Sequence, residues 1–174
     1  MLEILKKRRS IRKFKEVSVE KEKIEALIQA ALLSPTSRNL YPWEFIIVTD
    51  KSLLQKLALS KEHGSTFLKD APLGIVVLAD PDKSDVWIED TSIASILIQV
   101  TAESLGLGSC WIQIRQRQHN ESQTSEEYVR EVLNIPQNMK IESIIAVGYP
   151  DEQRPAHTEE ELLYNKVYIN QYGG

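Results

Sequence analysis

A run of basic residues near the start of the chain has the composition of an anion-binding segment. Residues 6–15 hold seven of the 21 Lys and Arg residues and no Asp or Glu, which leaves 14 basic residues against 25 acidic ones elsewhere. Arg8, Arg9 and Arg12 surround the hydroxyl of Ser10, and closely spaced guanidinium groups bind phosphate through charge-assisted hydrogen bonds. The segment predicts an anionic ligand or partner, with a solvated charged face as the alternative.

Two further stretches carry groups suited to ligand binding. PTSRNLYPW, residues 35–43, is a polar loop with hydroxyl and amide groups followed by a proline and an aromatic ring. GLGSCWIQI, residues 106–114, has two glycines that allow a close backbone approach, and then a strand that presents alternate side chains. Each stretch alone also fits a turn, a cap or a core strand, so the interpretation depends on their joint order.

Several familiar catalytic and cofactor motifs are absent from the sequence. Gly106-Leu107-Gly108 follows a predicted helix and precedes a predicted strand, which reverses the order of a dinucleotide-binding motif. The three histidines are scattered, so we predict no metal site and interpret each as a surface residue. Cys110 lies in an apolar strand pattern, which favours a small core residue over a nucleophile.

Length, composition and charge favour one soluble globular domain spanning residues 1–174. The chain is 42% hydrophobic and 26% charged, and its apolar stretches are too short or too interrupted to cross a bilayer. The first ten residues carry their charges after the apolar residues, the reverse of a secretory signal. A single cysteine fits a reducing, cytoplasmic location. The net charge of −4 argues against a general nucleic-acid binder.

Hydrophobic periodicity predicts a mixed α and β chain. We predict helices at 1–8, from an N-cap at Ser18 to Ser34, from Asp50 or Ser52 to about Ser60, at 91–105 and from Thr124 to about Asn134, and strands at 44–49, 73–79, 109–114 and 141–147. The helix at 91–105 is apolar around most of its surface, so we expect it to be nearly surrounded by protein. The pattern favours an α+β fold with a buried central helix on a mostly antiparallel sheet. The tail at 163–170 has an extended pattern and is expected to pack on another surface, such as a second subunit.

In order along the chain, RRSIRKF, SPTSRNLYPWEFIIV, APLGIVVLAD, GLGSCWI and AVGYPDEQRP resemble the FMN-dependent nitroreductase family. The resemblance implies a nitroreductase-like fold and a homodimer with FMN at the subunit interface and a C-terminal tail that embraces the partner. It implies ping-pong hydride transfer from NADH or NADPH to flavin N5, and then to a nitroaromatic, a quinone or a similar electron-poor small molecule. Flavin reduction and dehalogenation on the same scaffold are alternatives. A non-enzymatic protein that binds polyanions through residues 6–15 is a rival from a different class.

The resemblance also assigns FMN-binding residues. Arg8 and Ser10 would hold the phosphate, Arg9 the ribityl chain or phosphate, and Arg154 would complete the phosphate site. Arg12 would approach the N1/O2 edge of the flavin and stabilise the negative charge that reduction places there, and no side chain is implied as a nucleophile. The positions expected from the other subunit are Pro35, Thr36, Ser37 and Asn39, and those expected along the flavin near N5 and O4 are Gln113 and Ile114.

The chain departs from the family pattern at several positions. Tyr41 stands where the family usually has Gln, and Gln113-Ile114 stands where an acidic residue and Gly are common. Ser65 or Thr66 is expected to replace an Asn that contacts the flavin edge. Residues 80–89 alone fill the gap before the central helix, which predicts an open pocket, with Trp87 either its wall or a core or surface residue. Arg115 and Arg117 fit either a contact to the 2′-phosphate of NADPH or a solvated loop.

Overall fold

The computed structural model of this chain describes residues 1–173 and has one four-stranded antiparallel sheet with helices on both faces. The strands are β1 (Trp43–Val48), β2 (Leu73–Ala79), β3 (Gly108–Gln113) and β4 (Lys140–Gly148), in the spatial order β1-β2-β4-β3. The helices are α1 (Leu2–Lys7), α2 (Lys21–Leu32), α3 (Lys51–Leu57), α4 (Trp87–Ser104) and α5 (Ser125–Leu133). The α+β architecture predicted from the sequence is confirmed.

The two central strands divide the core into two layers because their side chains alternate between the faces of the sheet. On β2, Ile75 and Val77 pack with α2 and α4, whereas Val76 and Leu78 pack with α3 and α5. Every residue of β2 is buried. Helices therefore cover both faces, which explains why this strand is a continuous apolar run instead of an alternating one.

Helix α4 is the buried central helix that the sequence predicted, but it begins four residues earlier than expected. Thr91, the expected first residue, lies inside the helix, and its hydroxyl donates to the carbonyl of Trp87 at 2.8 Å. The side of the helix that faces α2 and the sheet is buried. Ile93 and Ile96 are its exposed large apolar residues, with 37% and 40% of their surface exposed.

The predicted N-cap at Ser18 is wrong, because α2 begins at Lys21 with Glu20 in the cap position. Val19 is buried in the core next to Leu27, so the chain stays extended until it has passed this anchor. The capping box predicted for α5 is confirmed: the Thr124 hydroxyl accepts from the N–H of Glu127, and the Glu127 carboxylate accepts from the N–H of Thr124.

The C-terminal tail from residue 155 to 173 is exposed along its whole length. It is less regular than the extended segment that the sequence predicted, since it contains two 3-10 turns, at Glu159–Glu161 and Tyr164–Lys166. Its exposed apolar side chains are Leu162, Leu163, Tyr164, Val167, Tyr168, Ile169 and Tyr172. Among the described residues, no helix combines the length and the apolar character that a membrane span requires.

Candidate functional site

The basic segment near the N-terminus lies against the start of β3 and the end of β4. The N–H of Ile11 donates to the carbonyl of Ser109 at 2.9 Å, and the N–H of Lys15 donates to the carbonyl of Tyr149 at 2.9 Å. A Cβ on Gly108 would lie 2.9 Å from the side chain of Ile11, so only glycine allows this close approach. The segment is thereby fixed at both ends, and its polar side chains project beside the N-terminal end of β3.

A pocket of about 310 Å³ lies at this end of the sheet, and its lining is almost entirely cationic. The residues that line it are Arg8, Arg9, Ser10, Arg12, Arg154 and His157. Arg8, Arg9, Ser10 and Arg154 were expected at the ribityl and phosphate end of FMN and Arg12 at the edge of the flavin ring, and all five line this pocket. His157 is the sixth, and the sequence analysis had interpreted it as an ordinary surface residue.

Glu152 holds the two parts of this pocket together. Its Oε1 accepts from the N–H of Arg12 at 2.6 Å and from the N–H of Lys13 at 3.1 Å, and its Oε2 accepts from Nε of Arg154 at 3.0 Å. The hydrogen bond from the N–H of Arg12 is the main cause that lowers the pKa of Glu152. An ionised carboxylate therefore anchors Arg154 to the basic segment, and sequence patterns gave no sign of this role.

The arginines of the pocket differ in whether other residues of the chain already bind their guanidinium groups. Arg154 is paired with Glu152, and a guanidinium nitrogen of Arg9 donates to the carbonyl of Pro155. Within residues 1–173, the side chains of Arg8 and Arg12 make no hydrogen bond and no ion pair, and the Arg12 guanidinium lies 5.8 Å from the ring centroid of Phe67. The pocket therefore retains free donors and uncompensated positive charge, which suit a phosphate group.

An open strand edge leads away from the pocket. The N–H of Ile114 donates to the carbonyl of Glu142 at 3.1 Å, so by the alternation of an antiparallel ladder the backbone groups of Trp111 and Gln113 point outward. The Ser109 carbonyl on this edge is occupied by Ile11, so the open part runs from Trp111 to Gln113, about 7 Å at about 3.3 Å per residue. An elongated ligand with an anionic end in the pocket can lie along it.

The side chain of Gln113 is held by its neighbours at the far end of this edge. Its Oε1 accepts from the indole N–H of Trp111 at 2.9 Å, and its Nε2 donates to Oε1 of Glu142 at 3.1 Å. Glu142 is the extra residue of a β-bulge, because Val77 pairs with Ser143 and Leu78 pairs with Ile141. The amide of Gln113 is thus engaged at both ends, which leaves its backbone N–H as the group available to a ligand.

Glu142 is an unusual buried acid. It is 4% exposed, its Oε2 has no hydrogen-bond partner, and Nε of Arg115 lies 3.9 Å from that oxygen. Burial is the main cause that raises the pKa of this carboxyl, and the hydrogen bond from Gln113 and the charge of Arg115 offset part of the effect. Arg115 also stands 6.0 Å from the ring centroid of Trp87. Trp87 and Arg115 therefore form one wall beside Gln113.

Ile114 differs from the other predicted site residues because it belongs to the core. Its side chain is fully buried, its N–H donates to Glu142, and its carbonyl accepts from the N–H of Arg117 at 3.1 Å. Ser65 is also buried, and its hydroxyl donates to the carbonyl of Ala58 at 2.8 Å. Ser65 therefore has a structural role at the position where a ligand contact was expected.

The loop that carries Pro35, Thr36, Ser37 and Asn39 lies away from the basic pocket. The N–H of Ser37 donates to Oδ1 of the buried Asp90 at 2.9 Å, and Arg38 pairs with Asp85 at 2.5 Å. Three non-glycine residues of the loop, Arg38, Asn39 and Tyr41, have positive φ angles. These contacts fix the loop at the N-terminal end of α4, whereas Arg9 and Arg154 of the pocket also line a neighbouring cavity with Glu103, at the other end of the helix.

Other reactive residue types contribute no second site. Burial raises the pKa of the Cys110 thiol, which disfavours a nucleophilic thiolate. No group of three or more His, Cys, Asp or Glu side chains suited to a metal ion occurs in residues 1–173.

Comparisons with known proteins agree on one family. The family model described as the Nitroreductase family matches residues 5–61 and 57–149. A solved structure described as an FMN-dependent nitroreductase from Clostridium difficile R20291 is 50% identical, with a TM-score of 0.98 over 99% of this chain and 100% of that one. An Archaeoglobus fulgidus protein named "Putative NADH dehydrogenase/NAD(P)H nitroreductase" is 34% identical, over 92% of this chain and 91% of its own. An iodotyrosine deiodinase from Thermotoga neapolitana is 24% identical over 94% of this chain and 95% of its own.

Proposed function

The chain belongs to the nitroreductase family, and on this premise we propose that it is an FMN-dependent oxidoreductase that passes hydride from NADH or NADPH to an electron-poor small molecule, such as a nitroaromatic compound or a quinone. The observation that carries the proposal is the cationic pocket, where the four residues expected at the ribityl and phosphate end of FMN line one space together with Arg12. The FMN dependence printed for the 50% identical Clostridium difficile protein supports the same cofactor.

The chemistry of the pocket fits the phosphate of FMN. A phosphate monoester has three acceptor oxygens and a charge near −2 at neutral pH, and it requires donors and cations. Arg8 has a free guanidinium group, Ser10 adds a hydroxyl, and Glu152 holds Arg154 in place. The ion pair between Glu152 and Arg154 leaves the other arginines to balance the ligand's charge.

The open edge of β3 would hold the rest of the cofactor. Bound FMN supplies the redox chemistry, because its isoalloxazine ring accepts and donates hydride at N5. The outward N–H of Gln113 would donate a hydrogen bond to the ring. The bond that the Gln113 side chain accepts from Trp111 and the bond that it donates to Glu142 keep it from rotating into the ring's space. The wall of Trp87 and Arg115 would limit how far the ring extends.

Arg12 would act on the ring by its charge. Its guanidinium has no counter-ion within the described residues, and its backbone is fixed through Glu152. A positive charge held near the pyrimidine part of the flavin would stabilise the negative charge that hydride transfer adds there. Arg12 is therefore the residue that we expect to set the ease of flavin reduction.

A second copy of the chain would complete the site. The loop at residues 35–39 is fixed near Asp90, and the cationic pocket lies near Glu103, about 20 Å farther along α4 at about 1.5 Å per residue. One chain therefore keeps this loop away from its own phosphate pocket. A two-fold dimer that pairs the exposed Ile93 and Ile96 of α4 would bring the loop of each chain toward the site of the other, with the apolar tails packed across the partner.

The experiment that tests this function is an absorption spectrum of the purified protein, recorded before and after anaerobic addition of NADH and then of NADPH. We expect a flavin spectrum that bleaches with at least one donor and returns when a nitroaromatic compound or a quinone is added. The double variant Arg8→Ala/Ser10→Ala should purify with less flavin, whereas Lys7→Ala, a cation outside the pocket, should purify with as much as the wild type. Protein that is colourless and takes up no added FMN would contradict the proposal.

A further inference from the structure

Arg115 lies beside Gln113 with the two terminal nitrogens of its guanidinium group unused. Its N–H donates to the carbonyl of Glu142 at 3.2 Å, and its carbonyl accepts from Nε2 of Gln113 at 3.2 Å, so its backbone is fixed just after β3. Its Nε lies 3.9 Å from Oε2 of Glu142, which is beyond hydrogen-bond distance. Within residues 1–173, neither terminal nitrogen has a hydrogen bond or an ion pair. The side chain therefore retains two pairs of donors and most of its charge.

Neighbouring groups hold this guanidinium in one place. The buried carboxyl of Glu142 lies on its Nε side, and the ring centroid of Trp87 lies 6.0 Å from it. The Arg115 side chain is 29% exposed, so it is neither closed off from a ligand nor freely solvated. A planar guanidinium that is already positioned loses little further freedom when it binds an anion.

The chemistry of this wall fits a flat ligand that carries a carboxylate. A guanidinium binds a carboxylate through two parallel hydrogen bonds, and the Trp87 ring offers an aromatic surface beside it. The indole N–H of Trp111 and the side-chain amide of Gln113 are already bonded, which leaves Arg115 as the cation of this group that can bind an anion. Small-molecule sites commonly combine aromatic surface with one such charged group that fixes the ligand's orientation.

We propose that Arg115 determines acceptor specificity by favouring electron-poor aromatic compounds that carry a carboxylate. The proposal rests on the proposed function, since it requires the acceptor to stack on FMN beside Gln113. The acceptor's carboxylate would bind the terminal nitrogens of Arg115, and Trp87 would contact the adjacent part of its ring. Arg115 is thus a specificity-determining residue and takes no part in hydride transfer.

The 2′-phosphate of NADPH is the other anion that a free arginine in this region would attract. In NADPH a ribose and a pyrophosphate separate the nicotinamide from the ribose that carries this phosphate. A nicotinamide stacked at N5 would therefore place the phosphate far from Gln113, whereas Arg115 is only two residues from Gln113 and its carbonyl is bonded to the Gln113 side chain. A substituent on the acceptor's own ring is the anion that matches this short separation.

The test measures how benzoate and benzamide bind to the full-length, flavin-loaded protein. The two compounds have similar shapes and differ in charge, and the changes that they cause in the flavin absorbance give their dissociation constants without turnover. The wild type should prefer benzoate, and Arg115→Gln should reduce that preference by about five- to twentyfold, as for the loss of one charged pair that is partly screened by solvent. Arg115→Lys keeps the charge without the paired donors, so its preference should be intermediate.

Turnover provides an independent readout of the same contact. The ratio of kcat/KM for 4-nitrobenzoate to that for 4-nitrobenzamide should fall by a similar factor in Arg115→Gln, because taking the ratio cancels any general effect on the flavin. Arg117→Gln is the matched control. Arg117 is exposed and its guanidinium donates to the carbonyl of Gln116 at 3.1 Å, so its loss should leave both preferences unchanged.

The remaining outcomes separate this inference from the proposed function. A wild type without a preference for benzoate, or an equal loss of preference in Arg115→Gln and Arg117→Gln, would overturn the role of Arg115 while leaving the flavin enzyme intact. A change in the NADPH-to-NADH ratio of Arg115→Gln with an unchanged benzoate preference would overturn it in favour of the 2′-phosphate. A wild type that binds no FMN would overturn the proposed function and this inference together.

Discussion

At the scale of single residues, the role of Arg12 gives the most direct prediction about chemistry. Arg12→Ala should lower the reduction potential of the flavin and slow its reduction by NAD(P)H by about five- to thirtyfold, or about 1–2 kcal/mol, because a charge in a solvated pocket is partly screened. Stopped-flow absorbance and a spectroelectrochemical titration measure the two effects. The control is Lys13→Ala, which removes a neighbouring charge outside the pocket. An unchanged potential in Arg12→Ala would exclude this role.

The buried carboxyl of Glu142 gives a prediction about stability and pH. Burial raises the pKa of Glu142 in the folded chain above its pKa in the unfolded chain. The free energy of unfolding therefore falls as the pH rises from the unfolded pKa through the folded pKa, and it stays lower at higher pH. Glu142→Gln removes that loss, so its melting temperature relative to the wild type should increase as the pH rises from about 4.5, near the ordinary pKa of Glu, to neutrality. Thermal unfolding across this range measures the difference.

Glu127→Gln provides a control of opposite sign. The pKa of Glu127 is lowered, mainly by the hydrogen bond from the N–H of Thr124, so its stabilising effect is present above the unfolded pKa and is lost as the pH falls. The melting temperature of this variant relative to the wild type should therefore decrease as the pH rises. The same trend in both variants would contradict the assignment of Glu142.

Residues that lie together in one short motif could be named as candidates from the sequence. Arg8, Ser10 and Arg12 lie within five positions, and a basic cluster of that kind predicts an anion site, with a solvated charged face as the alternative until the family resemblance is added. Glu152 and His157 reach the same pocket through an irregular segment after β4, and their roles depend on contacts with residues about 150 positions away. No local pattern encodes such contacts, so the sequence analysis missed both residues.

At the scale of elements, the contact between the basic segment and β3 can be tested through Gly108. A Cβ at this position would lie 2.9 Å from Ile11, so Gly108→Ala should push the segment away from β3 and weaken FMN binding, with a loss of stability of about 1–3 kcal/mol. Gly74→Ala is the matched control, because its Cβ would lie 3.0 Å from Leu54 in the core, away from the pocket. Flavin titration and thermal unfolding of both variants separate the two effects.

The outcome would be informative in either direction. Equal loss of flavin affinity in both variants would mean that stability alone controls FMN binding. Loss in Gly108→Ala alone would support a pocket whose geometry depends on the contact between Ile11 and the strand.

The predicted element boundaries are wrong where tertiary packing overrides a local sequence preference. Ser18 is a better N-cap than Glu20, yet the burial of Val19 keeps the chain extended past Ser18. The bulge at Glu142 was also not predicted, because the sequence IESIIAV reads as a regular strand. The bulge gives Glu142 its contact with Gln113. Gln113 of the candidate site is therefore held by a strand irregularity that hydrophobic periodicity does not reveal.

At the scale of the whole molecule, the exposed apolar side chains indicate which parts of the chain lack a packing partner. Ile93 and Ile96 are exposed on a helix whose opposite side is buried, and the tail exposes a series of large apolar side chains. Contiguous exposed apolar surface of this kind marks an interaction site in most soluble proteins. The sequence predicted that the helix would be surrounded by protein, and a second copy of the chain would supply the missing side.

The tail therefore gives a prediction about assembly and cofactor together. Val167 and Ile169 are 66% and 76% exposed, so Val167→Asp/Ile169→Asp should leave the fold of one chain intact and shift the dimer toward monomer. Flavin content should fall with it, because in the proposed dimer the loop at residues 35–39 would reach the site from the other chain. Sedimentation velocity across a range of concentrations and the flavin absorbance of each species measure both effects. Leu59→Asp, a change at an exposed apolar residue outside the tail and α4, should remain dimeric and retain its flavin. Variant monomers that keep full flavin would show that one chain holds FMN alone, and an undiminished dimer would exclude these tail residues from the interface.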